Sequence, residues 1–524
     1  YNLKFDKNNI WSPFENIFTG ENWKYDEDSS LIKFLKELNF YYTPQDISFN
    51  ANIVNQDNYS INRELYGGTV IDEENLDLHR NFQTNIKLHD TFSFRYIVDM
   101  KNNLNDYLTS SSSLQISEFF DLSYSPGLKK SYKEQFSFTY TPEFLEWLGP
   151  RFTYVPHYNW TRDAITGENS TADISSDNKF SASFTFSFQQ FIENFYETEK
   201  KSNTSSRSSR NRRSSSNKNS SSSKDEKLFI IDQPHFKTIL KFLHDIGQRF
   251  SSININYSYN TKNIYNNISS EINPDYSFKL GFTDTPTNDL LNYSSEGVIV
   301  STSNVFNQDL KFSTSVQLTN NLTLSNMEYR ISLSANNQSD SGYNETYSQS
   351  YFPLGASGKS GIPIFGWSIN LRGLEKYDFI NRWFKTFSIS HTYNGEKNEI
   401  SQEYIIQKVD FKRSFTPMLG IKMTPKIMPI NINCNVNNIL TINNTGEQTE
   451  RKTSKQINLK FDYRKKTGFR IPVFFLRDFE IENEVNLSLT IGYDDSVTDF
   501  SYVITNDIND FQRTAFTNSY NIKP

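Results

Sequence analysis

The sequence is poor in the residues that build disulfide frameworks and metal centres. It has one cysteine, Cys434, in 524 residues, which excludes a disulfide framework and any site with several cysteine ligands. Its 6 histidines are far apart and leave little for a metal-dependent enzyme. No run approaches the ~18 consecutive apolar residues of a membrane-spanning helix, so a helical membrane protein is excluded. A net charge of −6 provides no general attraction for nucleic acid.

Aromatic residues, by contrast, are abundant. They make up 15% of the chain, although hydrophobic residues of all kinds reach only 36%. Many recur with a period of two, as in 180–188, where phenylalanine and alanine alternate with serine and threonine. Similar alternation occurs at 92–96, 136–140, 253–259 and 485–493. Because successive side chains of a strand point to opposite faces, each segment is predicted to be a strand with one apolar and one polar face.

Counting such segments from end to end predicts roughly 18 strands, each near the ~10 residues that a tilted strand needs to cross a bilayer. The segments around Phe312 and Leu324 are predicted to form a hairpin that turns at Asn320-Asn321. The sequence begins at Tyr1, without a methionine, and ends at Pro524 inside a predicted strand. We expect a portion of a longer polypeptide, although a mature chain that has lost its leader would also begin in this way.

Two fold classes give an apolar and a polar face on so many strands. A soluble sandwich has a mostly aliphatic core and strands of ~5–6 residues. An outer-membrane barrel has an apolar lipid-facing side, a polar lumen, and Tyr and Trp near the strand ends. The apolar side of these strands is rich in Phe and Tyr, which favours an all-β, antiparallel outer-membrane β-barrel. We predict that Phe184, Phe186, Leu487, Leu489 and Ile491 face lipid.

Four segments have helical spacing and run directly into a predicted strand: 31–38, 144–148, 236–246 and 376–386. They are predicted to be short amphipathic helices at one rim of the barrel. The spacing suits simple capping of turns, and it also suits a surface on which a partner docks.

Residues 200–227 differ from the rest of the chain. From Ser202 to Lys227 this segment is rich in Ser, Asn and Arg and has no apolar residue. It cannot bury enough surface to offset its ordering entropy, so a disordered loop is predicted. Its basic charge could attract RNA or anionic lipid, but a solvated insertion is the simpler interpretation. The barrel is thus predicted as a first part at 1–199 and a second part at 228–524.

Residues 355–360, with the sequence GASGKS, end like a phosphate-binding loop. The Walker pattern needs a further glycine where this chain has Pro353, and Pro363 follows where a helix is required. A surface loop is predicted instead.

The remaining polar groups also give no site. Asp494-Asp495 is predicted to lie in a solvated turn just past a strand end. His235 and His244 are nine residues apart on one predicted helix, so they point to different faces and cannot share a metal. We predict no enzyme, no catalytic residues, and neither a cofactor nor a metal site.

Several segments of the chain nevertheless follow a known order. They are GWSINLRGL at 366–374, WFKTFSISHTY at 383–393, FTPMLGI at 415–421 and NNIL at 437–440. In this order they resemble the C-terminal barrel region of the SprA (Sov) family, the outer-membrane translocon of the Bacteroidota type IX secretion system, which also serves gliding motility. Segments 38–54 and 236–259 fit the same family. The loop at 200–227 departs from it, and 426–445 matches only loosely.

This resemblance implies a function as well as a fold. Family members are several times longer than this chain and form a barrel of the ~36-strand size that is the largest known. The chain would supply about half of it. Implied partners are secreted cargo proteins, a partner outer-membrane barrel, a periplasmic plug protein and membrane lipid, without nucleic acid. A porin-like or lipopolysaccharide-assembly barrel and a surface β-rich adhesin remain as alternatives.

Overall fold

The structure is a computed structural model of the chain. It describes residues 2–4, 10–11, 40–41, 43–62, 69–105, 126–142, 147–162, 171–193, 244, 247–286, 300–339, 341–428, 430–465, 469–470, 480–481 and 485–523. The predicted helices at 31–38 and most of 236–246, and the basic loop at 200–227, lie outside these residues.

Strands dominate the described part of the chain, and the alternation of small polar with aromatic or aliphatic residues explains why. They are β1 (Asn2–Lys4), β2 (Ile10–Trp11), β3 (Phe40–Tyr41), β4 (Asp46–Asn62), β5 (Thr69–His89), β6 (Phe92–Asn103), β7 (Leu128–Tyr140), β8 (Arg151–Arg162), β9 (Thr171–Phe186), β10 (Ile253–Ser269), β11 (Ser301–Gln317), β12 (Leu322–Gln338), β13 (Gly342–Ser350), β14 (Gly366–Leu371), β15 (Phe384–Gln402), β16 (Ile405–Pro425), β17 (Ile430–Thr445), β18 (Gln448–Lys465), β19 (Phe469–Arg470), β20 (Glu480–Ile481), β21 (Val485–Ser501) and β22 (Gln512–Lys523). The helices are short: α1 (Phe188–Glu193), α2 (Tyr276–Lys279) and α3 (Asp378–Asn381), with 3-10 turns at Leu374–Lys376 and Ile508–Asp510.

Eighteen of these strands form a single sheet, and β2–β3 and β19–β20 form two small separate pairs. From β4 to β12 each strand pairs antiparallel with the next one along the chain. The same pattern continues from β15 through β18 to β21 and β22. The short β1 pairs with the start of β4. The prediction of an all-β antiparallel sheet of roughly 18 strands is confirmed.

The long strands exceed the predicted length. They run from 12 residues in β6 to 21 residues in β5 and β16. The predicted ~10 residues are the length needed to cross a bilayer, so these strands are longer than that crossing requires. The hairpin predicted at Asn320-Asn321 is confirmed, since β11 ends at Gln317 and β12 begins at Leu322.

One strand position in the sheet is shared by two short strands. β13 pairs with the final part of β12 and with the end of β15. β14 pairs with the beginning of β12 and with the first half of β15. The segment between them, 351–365, therefore leaves the sheet in the middle of a strand position, and we call it the finger.

The antiparallel order defines two ends of the sheet. We call the end at which β4, β10 and β15 begin the lower end, and the opposite end the upper end. The connections that contain α1 and α3 lead into β10 and β15, so both lie at the lower end. The helix α2 follows β10 at the upper end. Neither α1 nor α2 was among the helices predicted from the sequence.

Candidate functional site: a divided apolar face

The apolar face of the sheet is divided into a lower apolar zone and an upper zone in which polar residues are interspersed with buried apolar ones. The division is clearest where β18 pairs with β21. In the lower zone the facing pairs on the apolar side are Tyr463–Leu487, Phe461–Leu489, Leu459–Ile491 and Ile457–Tyr493. The next pairs upward on the same side are Lys455–Asp495, Thr453–Val497, Arg451–Asp499 and Thr449–Ser501. One continuous strand face thus changes from apolar to largely polar near its midpoint.

A similar division occurs in another part of the sheet, where β9 pairs with β10. The lower pairs on this face are Phe186–Ile253, Phe184–Ile255, Ala182–Tyr257 and Phe180–Tyr259. Above them lie the polar pairs Asn178–Thr261 and Ser176–Asn263, followed by the buried apolar pair Ile174–Tyr265. At about 3.4 Å per residue the apolar stretch from Val485 to Tyr493 on β21 is about 27 Å long, and at a strand tilt of about 40° it spans about 21 Å, close to the ~25 Å band of an outer-membrane barrel. We call this lower zone the apolar band.

Tyrosines mark the upper border of the apolar band. Tyr493 and Tyr520 contact each other there, with ring centroids 5.1 Å apart, and Tyr393 lies against Trp367 at 4.3 Å. Two tyrosine hydroxyls form hydrogen bonds with groups in the upper zone. The hydroxyl of Tyr96 donates to Glu134 at 2.6 Å, and that of Tyr393 donates to the Tyr351 carbonyl at 2.8 Å. Tyr520 is largely exposed, and an aromatic ring with one dry side and one hydrated end suits a membrane interface.

Phenylalanines and tryptophans gather at the lower border. Phe186 packs edge-on against Trp147 at 5.6 Å and against Phe191 of α1 at 5.7 Å. Near α3, Phe384 contacts Phe387 at 5.4 Å, and Trp383 is largely exposed. The band therefore has an aromatic row at each border, as the belts of a membrane barrel do.

Residues 270–286, which follow β10, cover the upper zone of β7 to β10. We call them the cap segment. Its Phe278 is fully buried against Tyr158 and Tyr265, in a cluster that also contains Trp160 and Ile174. Both hydrogen-bonded and apolar contacts hold the segment on the apolar side of the sheet.

A buried ion pair fixes the cap segment. The ammonium of Lys279 lies 3.4 Å from a carboxylate oxygen of Glu134, and both side chains are almost inaccessible. The hydroxyls of Tyr96 and Tyr132 donate to the same carboxylate. The negative charge of Glu134 also raises the pKa of the Tyr276 hydroxyl in α2. A buried carboxylate needs such partners, because its desolvation is otherwise uncompensated.

Hydrogen bonds to the cap backbone add to this pair. The Ser176 hydroxyl donates to the Phe278 carbonyl at 2.9 Å, and the Tyr154 hydroxyl donates to the carbonyl of Leu280. Tyr265 donates to the Asp284 carbonyl at 2.8 Å. The polar residues that interrupt the apolar face of β9 and β10 are thus paired with a covering segment.

The finger covers the upper zone of β15 to β17 in the same way. Its backbone pairs with itself through a bridge between Phe352 and Ile362. Its tip packs Gly358 against the rings and methyl groups of Phe411 and Ile442, where a Cβ would come within 2.8 Å of the Phe411 ring. The tip glycine also has a φ of 76°, a conformation that other residues rarely adopt. A side chain is excluded at this position for both reasons.

Polar contacts bind the finger tip to two other elements. The amide of Asn444 on β17 donates to the Ser357 carbonyl at 2.9 Å. Asn506, in the connection between β21 and β22, accepts from the Ser357 hydroxyl and donates to the Ser360 hydroxyl. The finger therefore links the interrupted strand to β17 and to the connection before β22.

The opposite face of the sheet is polar behind the apolar band. On β9, β10, β17 and β21 it carries Ser181, Ser183, Thr185, Asn254, Asn256, Ser258, Asn433, Asn435, Asn437, Asn486, Ser488 and Thr490. Short-range ion pairs such as Lys460–Asp462 at 3.0 Å and Lys311–Glu328 at 2.8 Å lie on this face. Partly exposed pairs of this kind contribute about 0–1 kcal/mol each. The face is suited to water.

The sequence-based interpretation of two acidic residues is wrong. Asp494 and Asp495 do not lie in a turn; both are inside β21, where they pair with Gln456 and Lys455. Residues 355–360 are indeed a loop rather than a phosphate-binding motif, but Ala356 and Ser357 at its centre are buried and not on the surface.

Two features, a metal-binding cluster and a membrane-spanning helix, are absent from the described residues. In this part of the chain no three His, Cys, Asp or Glu side chains lie close enough together to hold a metal ion. No described helix is long and apolar enough to cross a membrane. His235 and most of its predicted helix lie outside the described residues.

The antiparallel strand order and the contrast between the apolar and polar faces define the class of protein, namely an all-β protein of the membrane-barrel type. No protein-family model matches the chain, and no curated protein matches it.

Solved structures with a similar fold include three outer-membrane receptors. FpvA of Pseudomonas aeruginosa bound to heterologous pyoverdines is 8% identical, with a TM-score of 0.25 over 87% of this chain. The ferric enterobactin receptor PfeA of the same organism is 6% identical, with a TM-score of 0.24 over 89%. The ferric-catecholate import receptor Fiu of E. coli is 8% identical, with a TM-score of 0.24 over 89%. The chain spans 63% of FpvA, 79% of PfeA and 75% of Fiu. The fold class rests on this chain's own strand pairing.

Proposed function

We propose that the chain forms part of the wall of a wide outer-membrane barrel that exports folded proteins, of the kind found in the SprA (Sov) family. The observation that carries this proposal is the contrast between the two faces. The cap segment and the finger both contact the apolar face, while the polar face bears short hydroxyl and amide side chains. A hydrated surface of this kind would let a folded protein pass without adhering to it.

The edge of the sheet supports a barrel wider than these strands. β22 pairs with β21 on one side, and among the described residues no register joins its other side to a further strand. Lipid cannot satisfy unpaired backbone groups, so a strand in a bilayer needs a partner on both sides. Since barrel diameter grows with strand number, added strands beyond β22 would widen the pore.

In this proposal the apolar band lies in the outer membrane and contacts lipid. The aromatic rows at its two borders occupy the two membrane interfaces. Cargo passes along the polar face. A partner barrel and a periplasmic plug protein, which the family resemblance implies, would bind at the rims, and α1 and α3 at the lower end are candidate contacts for them.

Depletion of the protein in its own cells tests this function. We expect folded cargo to accumulate in the periplasm and to disappear from the cell surface and the medium, as measured by quantitative proteomics of each fraction. Uptake of small solutes should not change. Normal export combined with lost solute uptake would instead favour a porin-like barrel.

A further inference from the structure

We propose that two arginines above the apolar band, Arg413 of β16 and Arg451 of β18, bind the phosphate group of a membrane lipid. Both lie on the face of the sheet that carries the band. The acyl chains of such a lipid would lie along the band. This inference rests on the band lying in the membrane, and it does not depend on protein export.

The position of Arg413 places its charge at the edge of the lipid layer. It lies two residues above Phe415 on the same face of β16, and the Phe415 ring contacts Tyr393 of the upper border at 5.4 Å. The guanidinium of Arg413 lies 5.6 Å from the centre of the Phe415 ring and 5.9 Å from that of Phe352, at the base of the finger. A cation next to border aromatics is placed to reach the charged headgroups above the acyl chains.

Arg451 lies on the same face two strands away. β17 separates the two arginines, and their register partners on it are Leu440 and Ile442. Two strand spacings of about 4.8 Å, together with two residues along the strand, put the two Cα atoms about 12 Å apart. The two charges are close enough to repel each other. Both side chains are long enough to converge on one anion between them.

Neither guanidinium is satisfied by the described part of the chain. The Nε atom of each arginine is buried and has no hydrogen-bond partner there. Buried polar groups in proteins are normally hydrogen-bonded, so an unpaired pair of this kind calls for a further group. The remaining nitrogens of the two guanidinium groups are not among the buried unpaired atoms and are open to a ligand.

The carboxylates nearby belong to other cations. Three lie on this face of β15 and β21, and each faces its own partner: Glu399 is paired with Lys397 at 2.6 Å, Asp499 is paired with Arg513 at 3.7 Å, and Asp495 is in register with Lys455. Asp499 is also in register with Arg451, but among the described residues no ion pair joins the two. The charges of Arg413 and Arg451 are therefore available to a bound anion.

A lipid phosphate suits this pair of arginines for two reasons. Its several acceptor oxygens match the planar forks of two guanidinium groups, which bind phosphate in a bidentate manner. A lipid is favoured over a soluble phosphate because Arg413 is only two residues from the border of the apolar band.

Native mass spectrometry of the protein purified in detergent from native membranes tests the proposal. The probes are dioleoyl phosphatidylglycerol, lipid A and, as the control without phosphate, dioleoylglycerol. We expect saturable binding of the two phosphate lipids and none of dioleoylglycerol. Arg413→Gln and Arg451→Gln should each weaken that binding by about tenfold, the effect of losing one charge-assisted hydrogen bond.

The adjacent lysines provide matched controls. Lys412 and Lys452 are exposed and lie on the polar face of the same two strands, where both are in register with Thr441. Lys412→Gln and Lys452→Gln remove the same charge and should leave the affinity unchanged. Circular dichroism should show the same strand signal in all four variants, because the two arginines have no hydrogen-bond partner to lose.

The outcomes separate the sources of the phosphate. Tighter binding of lipid A would identify the outer leaflet as the source, and tighter binding of phosphatidylglycerol the inner leaflet. Competition by inorganic phosphate as strong as that by either lipid would identify a soluble anion and overturn the proposal. Equal binding of dioleoylglycerol, or equal losses in the arginine and lysine variants, would also overturn it. No cargo is involved in these measurements, so a failure of the export proposal would leave them unaffected.

Discussion

Replacing Leu489 with arginine tests whether the apolar band faces lipid. β21 begins at Val485 and the band ends at Tyr493, so Leu489 lies at its middle, about 14 Å along the strand from each border. Its side chain is 39% exposed in the isolated chain, which leaves part of it available to contact lipid. Arginine near the bilayer midplane of a barrel costs about 2–4 kcal/mol. We expect Leu489→Arg to destabilise the protein by that amount.

The adjacent residue provides a matched control. Ser488 lies on the polar face directly opposite Asp462 of β18, so Ser488→Arg introduces the same charge beside a carboxylate. Its expected effect is within about 0.5 kcal/mol, as for most surface substitutions. The assay is urea-induced unfolding in native membranes, followed by the fraction of protein that resists trypsin.

The reasoning would be refuted by equal effects of the two substitutions. Both faces would then be in comparable surroundings, as in a soluble two-sided core. A larger cost for Ser488→Arg than for Leu489→Arg would mean that the lipid and lumen sides have been assigned in reverse.

Three further predictions concern other parts of the chain. Lys279→Met leaves the carboxylate of Glu134 buried without its cation, which should lower the free energy of unfolding by about 3–5 kcal/mol and expose the cap segment to protease. Adding Glu134→Gln should recover much of that loss. If the destabilisation of the double variant equals the sum of the two single effects, the ion-pair role is contradicted. Trypsin should cut first within 202–227, and deleting those residues should leave assembly intact, as judged by heat-modifiable migration on gels; a resistant segment would contradict the predicted disorder. Residues 1–524 expressed alone should aggregate instead of forming a stable pore in detergent, because the outer side of β22 has no strand partner among the described residues; a closed, conducting pore would contradict this.

The two-faced strands could be predicted from sequence because alternation is a local property. Phe184 and Phe186 on β9 lie on one apolar strand face, and so do Leu487 and Leu489 on β21, as the alternation predicts; their contact with lipid stays a prediction. The same reasoning ended the β21 segment at Tyr493, because the charge at Asp495 broke the apolar pattern. The strand in fact continues to Ser501. The switch from Tyr493 to Asp495 was itself the available signal for the border of the apolar band.

The covering segments could not be predicted, because their contacts join distant parts of the chain. Glu134 and Lys279 are separated by more than a hundred residues, and nothing in the sequence near either one indicates the other. Ser357 and Asn506 are likewise far apart in sequence but hydrogen-bonded in the structure. Residues 355–360 have the composition of a surface loop, and only the position of Phe411 beneath Gly358 explains why that loop is buried.

The interrupted strand between β13 and β14 has a consequence for how such walls can change. Ser350 pairs with Glu396 and Trp367 with Tyr393, and the Tyr351 amide donates to the Gly395 carbonyl at 3.0 Å. Tyr351 and Gly366 therefore fill the two ladder positions between these pairs, and residues 352–365 form an insertion that leaves the register on β15 unchanged. New sequence can enter a barrel in the middle of a strand, and not only at its loops, while the side chains of the neighbouring strand β15 keep their faces.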